Sequence, residues 1–229
     1  MKNKDIGTAA VGSMCMGMLQ TNCYFIFKED GNDHGVSNDP DESRKLTPVV
    51  FFDPPDRGEL IYEELKKRGF KVEGIYLTHG HFDHMMGAGR LKELSGVKVY
   101  AYEKEAMVCE DFYYNLSSMF GVSASIKPDV LLRDGEMCEC AGLSFKTIAT
   151  PGHTQGGCCY YFEDDNILIS GDSLFNGSVG RTDFPGGSAA TLTRSCHEKL
   201  FCLPDDTVVY PGHGETTTIG FEKTHNMYL

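Results

Sequence analysis

The sequence predicts a layered α/β fold, and three observations predict it. Apolar runs of strand length come first, then alternate with stretches of helical spacing, then return. Ligand-type residues follow the carboxyl ends of several of those runs, the edge where sites form in layered α/β sheets. The composition, 41% hydrophobic and 24% charged over 229 residues, suits one globular domain, 1–229, long enough to bury a sizeable core.

The elements follow in order. Residues 21–27 are rich in β-formers and 49–52 form a short apolar run, so both read as strands. Between them, 28–48 is polar, with Gly31, Gly35, Pro40 and many Asp and Asn, and reads as a long exposed hairpin loop inserted between strands. Residues 57–68 have helical spacing, with Leu60, Ile61 and Leu65 on one side, Asp56 as the expected N-cap and Gly69 as the stop. A buried strand is expected at 74–77, a helix at 84–94, a strand at 97–101 and a second helix at 103–119. Residues 137–140 and 143–148 make a hairpin across Ala141-Gly142, and 157–162 with 166–170 make another. A helix at 191–200, a strand at 207–210 and a terminal helix at 219–228 complete the pattern.

Charge excludes some functions. The formal net charge is -12 and no dense run of Lys or Arg occurs, so neither nucleic acid nor an anionic membrane surface is an expected partner. The start of the chain is polar, without the apolar run of a signal peptide, and no stretch is long enough to span a membrane. Nine Cys, an odd number with no CxxC pair, fit buried reduced thiols in a cytoplasmic protein. Cys138 and Cys140 would share one face of a strand, and Cys158 and Cys159 would point to opposite faces.

The chemistry concentrates in Thr78-His79-Gly80-His81-Phe82-Asp83-His84. Three His and one Asp within six residues, just after an apolar strand, are ligand types for zinc and other first-row metals. His79 and His81, two apart, can aim both rings one way. Asp83 and His84 follow where the chain enters a helix and can face a second point nearby, with Gly80 allowing an unusual backbone at the bend. His153 after Pro151-Gly152, Asp172 after Gly171 and His213 after Pro211-Gly212 each follow a strand end. His34, His197 and His225 fall outside these motifs and read as surface or core residues.

Thr78 to His84, Thr150-Pro151-Gly152-His153-Thr154, Gly171-Asp172 and Pro211-Gly212-His213-Gly214 together resemble the motif set of the metallo-β-lactamase superfamily. The runs at 172–175, 177–187 and 217–222 are similar to the short bacterial glyoxalase II-like (hydroxyacylglutathione hydrolase-like) hydrolases. The resemblance implies a four-layer αββα sandwich and two divalent metal ions per chain, zinc first, with iron or manganese as alternatives. It assigns His79, His81 and His153 to one metal, Asp83, His84 and His213 to the other, and Asp172 as the bridge. Asp53 would orient a ligand from outside the metal shell, or else is simply a turn former before Pro54. Asp83 and Asp172, with a metal-held water, would be the catalytic carboxylates.

The implied reaction is attack of a metal-bound hydroxide on a small-molecule thioester, an S-acyl thiol such as S-lactoylglutathione, by a monomer or homodimer. The leaving thiolate needs little acid help, since a thiol pKa is about 8.5. Lys223 is the only Lys or Arg after His213, so no basic cluster there receives glutathione carboxylates, and the chain ends too soon after His213 to hold the C-terminal helical domain of full-length glyoxalase II. Three alternatives stand beside this reading. Gly180-Arg181-Thr182-Asp183-Phe184 also resembles the persulfide dioxygenases, which would use one iron on His79, His153 and Asp172. A lactonase would share all seven ligands. A metal-stabilised binding module would bind without turnover. Arg181 and Asp183 are expected to clamp the Gly-rich 177–187 loop.

Overall fold

A computed structural model describes residues 8–29 and 46–229. Residues 1–7 and 30–45, which hold the polar N-terminus, His34 and most of the 28–48 loop, lie outside the described residues. Two six-stranded sheets carry the fold. The first runs β1 (Ala9–Met16), β2 (Thr21–Lys28), β3 (Thr47–Phe52), β4 (Phe70–Leu77), β5 (Val99–Tyr102) and β6 (Val130–Leu132) in spatial order. Its first two pairings are antiparallel and its last three parallel. The second sheet contains β7 (Met137–Cys140), β8 (Leu143–Ala149), β9 (Cys158–Phe162) and β10 (Ile167–Gly171). A two-stranded ribbon, β11 (Leu174–Phe175) with β12 (Ser178–Val179), leaves this sheet before the chain returns through β13 (Val208–Pro211) and β14 (Thr217–Thr218). The spatial order is β14-β13-β10-β9-β8-β7.

Strand periodicity builds the layers. In β3, Val50 and Phe52 point between the sheets while Val49 and Phe51 point outward. In β9, Cys158, Tyr160 and Phe162 face inward and Cys159 and Tyr161 face the other side, so the adjacent cysteines do diverge. The inner core joins Tyr24, Phe52 and Tyr76 of one sheet to Phe145, Tyr160 and Phe162 of the other, with T-shaped and tilted ring pairs. Outside the first sheet lie α1 (Gly58–Lys67) and α3 (Ala88–Ser95), burying Ile61, Leu65 and Leu91. Outside the second lie α5 (Ala189–Ser195) and α6 (Ile219–His225), burying Leu192 and Ile219. The result is the expected αββα sandwich, in which strands covered on both faces read as continuous apolar runs. No helix among the described residues is long and apolar enough to cross a membrane, and all nine cysteines are free.

Three local expectations need correction. The 84–94 helix is two pieces, α2 (Phe82–Met85) and α3, because the chain at Gly87 presses against the 54–56 turn: its N–H donates to Pro54 O at 3.0 Å, and a Cβ there would lie 2.8 Å from Asp56 O. The 103–119 helix is only a 3₁₀ turn, Glu103–Glu105, and α4 (Ala106–Glu110). Asp111 stops it, accepting the amides of Tyr113 and Tyr114 in a local turn, and Leu116 has a φ of 66° that no helix accommodates. Arg57, in left-handed conformation, stands at the cap of α1 where Asp56 was expected, with no side-chain cap bond. Asp56 instead accepts the Arg57 amide.

Candidate metal centre

The site lies where the two sheets meet at their carboxyl ends. β4 delivers Thr78 to His81, and α2 then turns Asp83 and His84 toward the same point. The loop after β8 brings His153. A register irregularity between Ile169 and Gly171 of β10 brings Asp172, and β13 brings His213. Cross-sheet bonds close this edge: Cys158 N–H donates to Thr78 O at 2.8 Å and Asn22 N–H to Gly212 O at 2.7 Å. Gly212 has to lack a side chain, because a Cβ there would run into Asp172 Oδ1 and the His84 ring.

All seven residues expected from the sequence converge. His79, His81 and His153 bring one ligand atom each within 4.8 Å of one another, as do Asp83, His84 and His213. Asp172 reaches both trios. Its Oδ2 lies 3.4 Å from His153 Nε2 and 3.6 Å from His213 Nε2, and its Oδ1 lies 3.3 Å from His84 Nε2. His81 Nδ1 and His153 Nε2 are 2.9 Å apart; imidazole nitrogens this close share either a proton or a cation.

The outward atoms are anchored. Thr78 Oγ1 donates to Asp53 Oδ2 at 2.6 Å and accepts His79 Nδ1–H at 3.1 Å, while Thr78 N–H donates to Asp53 Oδ1 at 2.7 Å. His84 Nδ1–H donates to Asp53 Oδ2 at 3.0 Å. His153 Nδ1–H donates to the Arg181 carbonyl at 2.6 Å, and Thr21 Oγ1 donates to Asp83 Oδ2 at 2.8 Å. With Nδ1 committed to these bonds, Nε2 of His79, His84 and His153 faces inward. Asp53 is therefore an anchor for two histidines, the first of its two sequence readings. A third set of close ligand atoms, Asp53 with His79 and His84, is explained by the same bonds.

Six buried side-chain N or O atoms among the described residues have no hydrogen-bond partner, and four are here: Nε2 of His79, His81 and His84, and Asp172 Oδ1. An unpartnered buried polar atom costs about 1–3 kcal/mol, and Nε2 of His84 lies 3.3 Å from Asp172 Oδ1 with the His79 ring alongside, so this cluster fits a cationic ligand. In the all-histidine trio the charge states agree. Burial, reinforced by neighbouring imidazoles, holds His79 and His81 well below the usual histidine range, and burial also lowers His153. Neutral imidazole is the form that binds metal. Burial opposes the charged forms of His84, Asp172 and His213 as well, but attraction to Asp172 and Asp83 holds His84 well above its ordinary range, and attraction to His84, His153 and His79 holds Asp172 well below. His213 is raised too, through its bond to Asp83, so metal binding at the carboxylate-containing trio has to displace protons.

The rim is aromatic. The Phe184 ring stands 5.8 Å from that of His81, and Phe175 stands 6.1 Å from His213. Arg181 and Asp183 do pair, bidentate at 3.0 and 2.8 Å, with the guanidinium over Phe184. Both side chains are solvent-exposed. It is the Arg181 carbonyl that touches the site, a contact no side-chain reading of the sequence supplies. Thr21 and Glu105 also escaped the sequence reading; His197 and His225 are exposed and take no part.

Residues 16–213 match the family model described as Metallo-beta-lactamase superfamily. The chain belongs to this superfamily. Its members are metal-dependent hydrolases, which suits the His and Asp clusters. Among curated relatives, the chain is 36% identical to the probable metallo-hydrolase YqgX of Bacillus subtilis, covering 94% of this chain and 95% of that one. It is 30% identical to the hydroxyacylglutathione hydrolase GloC of Haemophilus influenzae, covering 92% and 93%. Among solved structures, the BLEG-1 B3 metallo-beta-lactamase superposes with a TM-score of 0.84 at 32% identity, covering 96% and 99%. TTHA1623 in a di-iron-bound form gives 0.76 at 31%, covering 95% and 100%, and ETHE1 from Myxococcus xanthus gives 0.71 at 26%, covering 95% and 83%.

Proposed function

We propose that the protein is a dinuclear metal-dependent thioesterase that hydrolyses S-acyl thiols. The observation that carries this reading is Asp172 within 3.6 Å of histidines from both trios. His79, His81 and His153 would hold one ion, Asp83, His84 and His213 the other, and Asp172 both; zinc is the proposed metal, with the di-iron form of TTHA1623 making iron the first alternative. Such a pair of ions supplies Lewis acidity, which acidifies water and polarises an acyl carbonyl.

The chain's own residues do the rest. The Asp53-Thr78 relay and the Arg181 carbonyl fix three imidazole tautomers, so no side chain has to reorganise before reaction. Thr21 holds Asp83; its carboxylate and that of Asp172 are both held below the ordinary carboxylate range, so each would offer an anionic oxygen to the ions and to a water between them. His213, 29% exposed where His84 is fully buried, marks the open side. Phe175 beside His213 and Phe184 beside His81 offer apolar walls to an acyl group. The thiolate departs without a dedicated acid, since thiols ionise near pH 8.5. GloC-like chemistry supports the substrate class, and the free cysteines suit a reducing cytoplasm.

The test is thiol release from S-lactoylglutathione and a panel of simpler acyl thiols by metal-loaded protein, with a β-lactam added because BLEG-1 is a B3 metallo-beta-lactamase. Turnover of at least one acyl thiol that depends on metal is expected. Protein with two bound metals that cleaves no acyl thiol overturns the proposal. A mononuclear iron persulfide dioxygenase is the second reading, favoured by the Gly180 to Phe184 run; it leaves Asp83, His84 and His213 without a task, and oxygen uptake with one iron per chain distinguishes it.

A further inference from the structure

Glu105 is fully buried beside the site, and its hydrogen-bond partners are none of the seven converging side chains but the segments that carry them. It ends the 3₁₀ turn after β5, and its carboxylate accepts three bonds. Gly80 N–H donates to Oε1 at 2.8 Å; Thr154 Oγ1 at 3.0 Å and Gly156 N–H at 2.8 Å donate to Oε2. Gly80 lies between His79 and His81, and Thr154 follows His153. One carboxylate thus spans the two loops that supply the all-histidine trio.

The backbone is built around this contact. A Cβ at Gly80 would lie 2.7 Å from Cys109 N and 3.0 Å from the Val108 carbonyl carbon, and a Cβ at Gly156 would collide with the backbone of Lys104 and Glu105. Both loops press on the 104–109 segment where only glycine fits. The bend at Gly80 therefore requires glycine for space; it is not among the glycines of positive φ. Burial pushes the Glu105 carboxyl up to about 7 against the pull of its three donors.

We propose that Glu105 is a positioning residue that clips the His79–His81 loop to the His153 loop and so sets the metal affinity of that half of the site. The inference rests on the dinuclear reading above. Chemistry at the reacting atoms is left to the seven ligands; Glu105 fixes the distance between two of their carriers.

The experiment is a two-site metal titration of the full chain with zinc, repeated with cobalt(II) for its absorption spectrum, comparing wild type with Glu105→Gln and Glu222→Gln. A carboxamide has one acceptor oxygen, and its NH2 must face at least one of the three donors, so E105Q breaks the clip at constant volume. Its affinity is expected to fall about 10–100-fold in one site only, the usual cost of losing a partner outside the ligand shell. The cobalt spectrum of that site should change while the other site keeps its affinity. Glu222 is the control. It is equally buried and accepts from Gly177 N–H, Thr217 Oγ1 and Asn226 Nδ2, away from both histidine loops. E222Q should lose stability and keep both affinities.

Wild-type protein that binds two metals, with E105Q binding both equally well, overturns the clip and leaves the dinuclear reading intact. Wild-type protein that binds fewer than two metals overturns the dinuclear reading itself. Should E105Q not fold, Thr154→Val removes one of the three bonds and keeps the carboxylate. A smaller loss in the same site then supports the clip, and unchanged affinities overturn it.

Discussion

The two halves of the metal centre differ in how they are made. The His79, His81 and His153 half is all imidazole and buried, assembled from two loops that no hydrogen-bonded strand pair joins directly. The Asp83, His84 and His213 half includes a carboxylate, takes two neighbours from the start of one short helix, and leaves His213 partly exposed. The first half depends on anchors outside itself, namely Thr78, the Arg181 carbonyl and Glu105. The second depends on Asp53, Thr21 and the close fit of Gly212 against Asp172 and His84. The difference teaches that the enclosed half is preset by backbone geometry and that the open half faces solvent through His213.

The largest perturbation removes what the halves share. Asp172→Ala should abolish the pairing, lowering thioester turnover by roughly 10³-fold or more and metal content below two per chain, as measured by elemental analysis. Asp53→Asn comes next, because Asp53 reaches His84 directly and His79 through Thr78. It should weaken metal binding in both halves by about 10–100-fold, in contrast to the one-sided loss expected at Glu105; a loss confined to one half would break that contrast. Chelation should lower the melting temperature reversibly, since metal at about 100 times its Kd stabilises the folded state by about 2.7 kcal/mol, as read by differential scanning fluorimetry with and without added zinc. The smallest effect is expected of Arg181→Ala. It removes an exposed ion pair and keeps the carbonyl that His153 uses, so metal content and melting temperature should stay close to wild type.

Much of this site was legible in the sequence because metal ligands are defined by side-chain chemistry, and their strand-end spacing survives in one dimension. The alternation of Cys158 and Cys159 between faces was legible for the same reason. Asp53 was ambiguous since an Asp before Pro looks the same whether it shapes a turn or anchors two rings. The 103–119 stretch opens with mostly strong helix formers, Glu103 to Glu110, and its end is set by how Asp111 folds back on its own backbone. Glu105 left no signal at all. Its partners lie 25, 49 and 51 residues away, and two of the three are backbone amides, which carry no side-chain signature. Ligands are written in residue types; the distances between them are written in glycines and amides that only the fold brings together.

The dinuclear centre is tested most directly by anomalous diffraction from crystals of the metal-loaded protein, collected on either side of the zinc edge. Two peaks are predicted about 3.5–4 Å apart, one among His79, His81 and His153, the other among Asp83, His84 and His213, with Asp172 touching both. A single peak at full loading, with Asp83 and His213 turned away from it, would contradict the account.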